Sequence, residues 1–168
     1  MKIIILSVVL VILVIGAGIL LFKYGNTSSK DIPQQGEAFP LQSATHIEIG
    51  APHDPYNSNP PTSGPHYGQD AEWGVYQEAL PDEQLIHSLE HGGIWISYKD
   101  VDALTKDQLE TIGRQYPGSV IVMPRSKNDA KISLASWGRL EKLDSFDRDR
   151  IVNFIKANIN KSPEPLAK

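Results

Sequence analysis

The chain has 168 residues and 18.6 kDa, enough for one ordinary domain with appendages and too little for two full domains. A hydrophobic share of 40% excludes wholesale disorder, and a net charge of −4 argues against a nucleic-acid partner, whose footprint would be basic. The absence of cysteine excludes disulfides, thiolate metal sites, iron–sulfur clusters and cysteine nucleophiles.

Ile3 to Phe22 is apolar except for Ser7, Gly16 and Gly18, and Lys2 and Lys23 bracket it. About 20 residues at about 1.5 Å each span a hydrocarbon core of about 30 Å. The run ends in Leu-Leu-Phe-Lys-Tyr, a poor signal-peptidase site, so residues 1–23 read as an uncleaved transmembrane anchor. Flanking charge nearly ties under the positive-inside rule. The short tail before the span favours a single-pass cell-membrane protein with its C-terminal part outside the cytoplasm. That part carries all 20 acidic residues and should be soluble.

Residues 24–45 read as a polar linker, 46–160 as a soluble domain and 161–168, with Pro163 and Pro165, as a flexible tail. The domain opens on an irregular stretch, Pro52 to Gly68, in which Pro52, Pro55, Pro60, Pro61 and Pro65 forbid a helix or central strand. Such a segment inside a domain is commonly functional, and His53, Tyr56, His66 and Tyr67 are interleaved in it. Pro81, the acids after it and Gly92 bound a short helix over 81–91. Ile94 to Tyr98 reads as a strand. Thr105 is the expected N-cap of a helix over 106–116, with Leu109 and Ile112 on one face. Ser119 to Met123 and Lys131 to Trp137 read as further strands, and Ser145 as the cap of a last helix through Asn158.

The expected fold is α+β, a small mixed sheet with flanking helices in the order helix, strand, helix, strand, strand, helix. The first strand–helix–strand reads as a parallel crossover and the last two strands as a hairpin. A similar order occurs in the second half of thioredoxin-like folds, which is analogy only.

All five histidines lie between His46 and His91. His87 and His91, four apart, share one helix face. His66 ends the stiff loop, where an imidazole can be held at low entropic cost. His46 and His53 are further candidates, with His53 the weaker. Imidazole ligands suit zinc, copper, nickel or iron, and an extracytoplasmic site without thiolates leans to copper over zinc. Met123 reads either as an added thioether ligand or as core filler. His87-Ser88-Leu89-Glu90-His91 also spells the inverted zinc-peptidase pattern, with Glu90 as the base, but the small domain leaves little room for a substrate chamber. Glu90 otherwise orients a histidine or is exposed. Ser63 near His66 imitates a nucleophile–base pair without an orienting carboxylate. Asp82 and Glu83 suit a helix N-terminus better than a paired-carboxylate site.

Pro60-Pro61-Thr62-Ser63-Gly64-Pro65-His66 resembles a block of the bacterial family called domain of unknown function 3105. Gly74-Val75-Tyr76, Pro81-Asp82-Glu83 and His87-Ser88-Leu89-Glu90-His91-Gly92 resemble its second block, and His46-Ile47 stands where members carry a His-Val pair. The resemblance implies a membrane-anchored or secreted protein of unassigned activity, with histidine positions at His46, His66, His87 and His91. It offers no match for His53.

From the chemistry of the residues, the leading expectation is an anchored metal-binding protein, handling copper, with those four histidines as ligands. The alternatives are a metal-dependent enzyme, oxidative or hydrolytic, at the same site, and a non-metal interaction module of an envelope complex. Whether the chain is an enzyme stays open at this point.

Overall fold

Ile94–Tyr98 runs through the centre of a six-stranded mixed sheet, and its alternation sets the two faces of the domain. The computed structural model describes residues 32–167, and all that follows concerns that span. Its elements in chain order are β1 (Glu37–Ala38), β2 (His46–Ile47), β3 (His66–Tyr67), β4 (Gly74–Val75), α1 (Asp82–Glu90), β5 (Ile94–Tyr98), α2 (Ala103–Gln115), β6 (Val120–Pro124), β7 (Ile132–Ser136), β8 (Arg139–Leu143) and α3 (Arg148–Asn158). The large sheet has the order β1-β8-β7-β5-β6-β4, and β2 pairs with β3 separately. The fold is thus α+β, with three helices among the described residues.

No helix among the described residues is long and apolar enough to cross a membrane. The expected anchor, Ile3 to Phe22, lies outside them.

Side chains alternate along β5. Ile94, Ile96 and Tyr98 join Leu109 and Ile112 of α2 and Ile151, Phe154 and Ile155 of α3 in one apolar cluster. Trp95 points the other way, into a cluster with Leu85, Ile86 and Leu89 of α1, and with Ile121 and Met123 of β6. Tyr56 of the proline-rich loop packs on this second cluster. Two helices therefore cover one face, and α1 with the loop covers the other.

The expected crossover is present: β5 and β6 are parallel and flank α2. The expected hairpin of the strands at 119–123 and 131–137 is not. β5 lies between them, pairing with β6 on one side and antiparallel with β7 on the other. The hairpin is β7–β8, turning at Trp137-Gly138, where Gly138 has φ +69°. Sequence reasoning missed β8 because its apolar residues break the period of two. Leu140 belongs to the second cluster and Leu143, three residues on, to the first.

With β8 in place, α3 starts later than expected. Asp147, not Ser145, caps it by accepting from the amide of Arg150 at 3.0 Å. Asp102, not Thr105, caps α2, and Thr105 is instead the donor, at 2.7 Å. Both aspartates use the strongest class of N-cap acceptor.

The ordered unit also begins earlier than the sequence reading placed it. β1 pairs with β8, inside the stretch expected as linker, and Asn158 Nδ2 donates to the carbonyl of Gln35 at 3.2 Å. A two-residue strand leaves no hydrophobic period to detect.

The proline-rich loop is part of the interior, with Pro60 to Gly64 buried. Its anchor is Arg125, 5% exposed. The guanidinium grips both carboxylate oxygens of Asp82 at 2.8 Å and reaches Asn59 Oδ1 at 2.6 Å and Asn128 Oδ1 at 2.9 Å. It also sits 5.6 Å over the Trp95 ring. Asp82 thus serves this pair and not a two-carboxylate site. Breaking a buried pair strands a charge, so Arg125→Ala should cost about 3–5 kcal/mol in chemical denaturation. A loss under about 1 kcal/mol would show that the loop does not hang on this residue.

Candidate metal centre

Two local structures bring the histidines together. The parallel bridge of β2 and β3 places His46 directly opposite His66. The last turn of α1 places His87 and His91 on one face, with Glu90 beside them. One ring nitrogen from each of His46, His66 and His87 lies within 4.8 Å of the others, so these three can hold a metal ion. The rings sit 4.9–5.1 Å apart between centroids. His91 adjoins the trio through Nε2, 2.9 Å from Nε2 of His87.

Burial grades across the site. His66 is fully enclosed, His87 and Glu90 are nearly so, and the His46 side chain is 57% exposed. The Oε2 atom of Glu90 lies 3.0 Å from His66 Nε2 and 3.8 Å from His46 Nε2. Of the roles that the sequence left open for Glu90, exposure is excluded.

The outer hydrogen bonds fix which nitrogens face inward. His66 Nδ1 lies 2.8 Å from the carbonyl of Gly64, and His87 Nδ1 lies 2.7 Å from that of Tyr67. A carbonyl oxygen only accepts, so both Nδ1 atoms donate. Each neutral ring then presents the lone pair of Nε2 to the cluster. This arrangement, with Nδ1–H on a backbone carbonyl and Nε2 free, is the one by which proteins orient histidine ligands.

The inward contacts cannot all be satisfied by neutral imidazoles. His66 Nε2 faces a carboxylate oxygen, and His87 Nε2 faces another ring nitrogen. His91 Nδ1 is 3.4 Å from the Glu164 carbonyl and 3.8 Å from Glu164 Oε2, both acceptors. A neutral His91 can donate toward only one of its two sides, and His66 Nε2 meets Glu90 only through a proton that one of the two carries. A tetrahedral ion bonded at about 2.0–2.1 Å sets its nitrogens about 3.3 Å apart. The nitrogens of the trio lie within 4.8 Å of one another, so such an ion would require the rings to close in slightly.

His53 stands apart. Its ring bonds the Asp54 carbonyl at 2.8 Å and Glu83 at 3.2 Å, and the carbonyl, more than Glu83, raises its pKa against the opposing effect of burial. Met123 is wholly buried in the second apolar cluster, as core filler. Ser63 forms no pair with His66: its Oγ accepts from the amide of Gln42 at 3.0 Å.

The helix ends in a glycine stop. Gly92 and Gly93 donate to Leu89 and Ser88 in a Schellman motif, with Gly92 at φ +88°. A Cβ on Gly93 would meet the Trp73 ring at 2.2 Å. The bare backbone at Gly92 admits the C-terminal segment. Asn160 donates to Gly92, Glu164 to Glu90, and Leu166 and Ala167 to His91, at 2.8–3.2 Å. The stretch expected to fray is therefore bonded across the end of the helix that carries His87 and His91. Its prolines suggested a loose end because main-chain bonding to a distant helix leaves no local pattern. The orienting carbonyls of Gly64 and Tyr67 were invisible for the same reason.

Residues 52–168, well over half of the chain, match the family described as "Protein of unknown function (DUF3105)". The chain belongs to that family, and the resemblance read from its motifs is borne out. His66, His87, Glu90 and His91 lie inside the matched span, and His46 precedes it. No curated protein and no solved structure matches the chain.

Two outcomes follow from this geometry. Gly92→Ala should cost more than about 1 kcal/mol, since alanine disfavours positive φ and its Cβ would sit 2.6 Å from Asn160 Oδ1. Amide exchange at Leu166 and Ala167 should accelerate, and unchanged exchange would show that the tail docks independently of this turn. Burial foremost, then the neighbouring imidazoles, lowers the pKa of His87 below 6.5, against the Tyr67 carbonyl. The unfolded chain then binds more protons than the folded one. Metal-free protein should lose stability as pH falls from about 6.5, levelling once folded His87 protonates. The slope should shrink in His87→Gln, read from urea midpoints across that range.

Proposed function

We propose that this protein binds a transition-metal ion through Nε2 of His46, His66 and His87, with His91 and Glu90 completing the cluster. The observation that carries this reading is the pair of outward Nδ1–H bonds, from His66 to Gly64 and from His87 to Tyr67. They turn two buried Nε2 atoms into the cluster, toward the carboxylate of Glu90 and the ring of His91, where one cation can engage both. The donor set, imidazole nitrogen with one carboxylate, suits a divalent first-row ion. Copper(II) heads the affinity order and zinc follows. With Met123 in the core, no thioether among the described residues adds the soft donor that copper(I) prefers.

Placement at a membrane rests on the run from Ile3 to Phe22. In this reading the span anchors the chain and the ion-binding domain works outside the cytoplasm. The alternative of a rigid loop serving as a protein contact is less well supported, because Pro60 to Gly64 are buried and offer little surface. A metal-dependent enzyme at the same site draws support from the position of Glu90. In such an enzyme Glu90→Gln would abolish turnover and leave the ion in place.

The test is metal content of the full chain, purified without a histidine tag, with Cu²⁺ and Zn²⁺ titrations. About one ion per chain is expected. His66→Ala should weaken binding by at least about 100-fold, since even outer-sphere partners are worth 10–100-fold. Uptake should release protons and collapse below about pH 6, where imidazole protonates. Wild-type affinity in the double variant His87→Ala/His91→Ala would overturn the reading.

A further inference from the structure

The histidines of the cluster are not held alike. His66 and His87 are buried, and each is fixed through Nδ1 to a carbonyl. His91 is fixed more loosely, by the tail. His46 is 57% exposed, and among the described residues no hydrogen bond holds its Nδ1. It stands on a two-residue strand paired only to β3. The main chain beyond it turns outward, leaving Ile49 79% exposed.

His46 is also the member of the cluster that borders open space. With Ile47, Glu48, Ile49 and Tyr67 it lines an open groove of about 270 Å³. At about 30 Å³ per water, that space admits one side chain or a small chelator. Glu48, exposed on the rim, favours cations at the entrance. The opposite side of the cluster is closed by α1 and the buried loop, and the C-terminal segment covers His91.

Resting on the metal-binding reading above, we infer that His46 is the exchange ligand of the site, and that the ion is transferable cargo. The ion arrives on and departs from the His46 side. In transfer, the metal bond to His46 Nε2 breaks first, the vacated position takes an imidazole or carboxylate of another carrier, and further donors of that carrier then replace His66 and His87 in turn, leaving their Nε2 lone pairs free. No electron moves, and the freed imidazole stays neutral or takes up a proton from solvent. His66 and His87 keep the ion in place until the incoming donor has engaged. Such a site hands an ion on, whereas a resident catalytic ion would be held by anchored ligands throughout.

The test follows Zn²⁺ transfer from the loaded full chain to a chromophoric chelator by stopped flow. In wild type the rate should saturate with chelator concentration, because departure of His46 becomes limiting. His46→Ala should still take up zinc, less tightly, and transfer it at least about tenfold faster, at a rate linear in chelator. Far-ultraviolet circular dichroism checks that each variant is folded. A transfer rate within about twofold of wild type in a folded, zinc-binding His46→Ala chain would overturn the proposal. So would acceleration in His91→Ala alone, which would put the exit at the tail. Wild-type chain that takes up no zinc or copper would instead sink the metal-binding reading itself.

Discussion

The relation between the loop that bears His66 and the helix that bears His87 depends on one buried cation. Arg125 holds Asp82 at the start of α1, Asn59 in the loop and Asn128 in the turn after β6. A guanidinium can do this where an ammonium cannot, because its planar fork donates in several fixed directions at once. Its charge is matched by Asp82 and its face lies over Trp95, so little of it is left unsatisfied. The same contact fixes the loop against the central strands. Seven residues after Asn59 the chain emits His66, and five after Asp82 the helix emits His87. Both imidazoles therefore lie on segments that this one buried guanidinium ties together, and the Gly64 and Tyr67 carbonyls then set the rings.

That anchor makes an otherwise unfavourable cluster tenable. Several imidazoles and a carboxylate have been brought together, His66, His87 and Glu90 among them buried, and each buried polar group must find a partner. The outward nitrogens find theirs in main-chain carbonyls. The inward nitrogens find only one another and Glu90. Desolvation opposes protonating His87, so the protein disfavours the simplest remedy, which is to fill the space with protons. A cation bound at the same point satisfies all the inward lone pairs together. The metal reading follows from this accounting of donors and acceptors more than from proximity alone.

Much of this was legible in the sequence, and the limits have physical causes. β5, α2 and β6 declared themselves because continuous apolar runs and a 3.6-residue period are strong local signals. β8 did not, since a strand whose leucines serve opposite faces carries neither pattern. The caps were misplaced by a few residues because Asp102 and Asp147 compete with nearby Thr105 and Ser145 for the same role. At the site, the spacing of His87 and His91 was readable from helix geometry, and His66 stood out at the end of the stiff loop. The pairing of His46 with His66 was not derivable from spacing, for a two-residue bridge between distant segments leaves no trace in either. Nor was the buried role of Arg125, whose partners are scattered over more than sixty positions.

The difference between the two sides of the cluster has a common origin in how each ligand is carried. His66 and His87 sit on backbone that is immobilised by core contacts, so their rings are fixed before any ion arrives. That preorganisation lowers the entropic cost of binding. His46 sits on a bridge outside the main sheet, and its half-exposed ring has the neighbouring imidazoles and no backbone carbonyl to hold it, so a bound ion would have more of its ordering to do. A ligand ordered only on binding contributes less and leaves more easily. His91 is intermediate, because the tail that steadies it is bonded to the main chain of the helix and its ring contact is long. The fold thus grades its imidazoles from rigidly held to exposed, from the buried loop toward the open groove. An ion bound in such a gradient, as proposed, would be held from within and released from without.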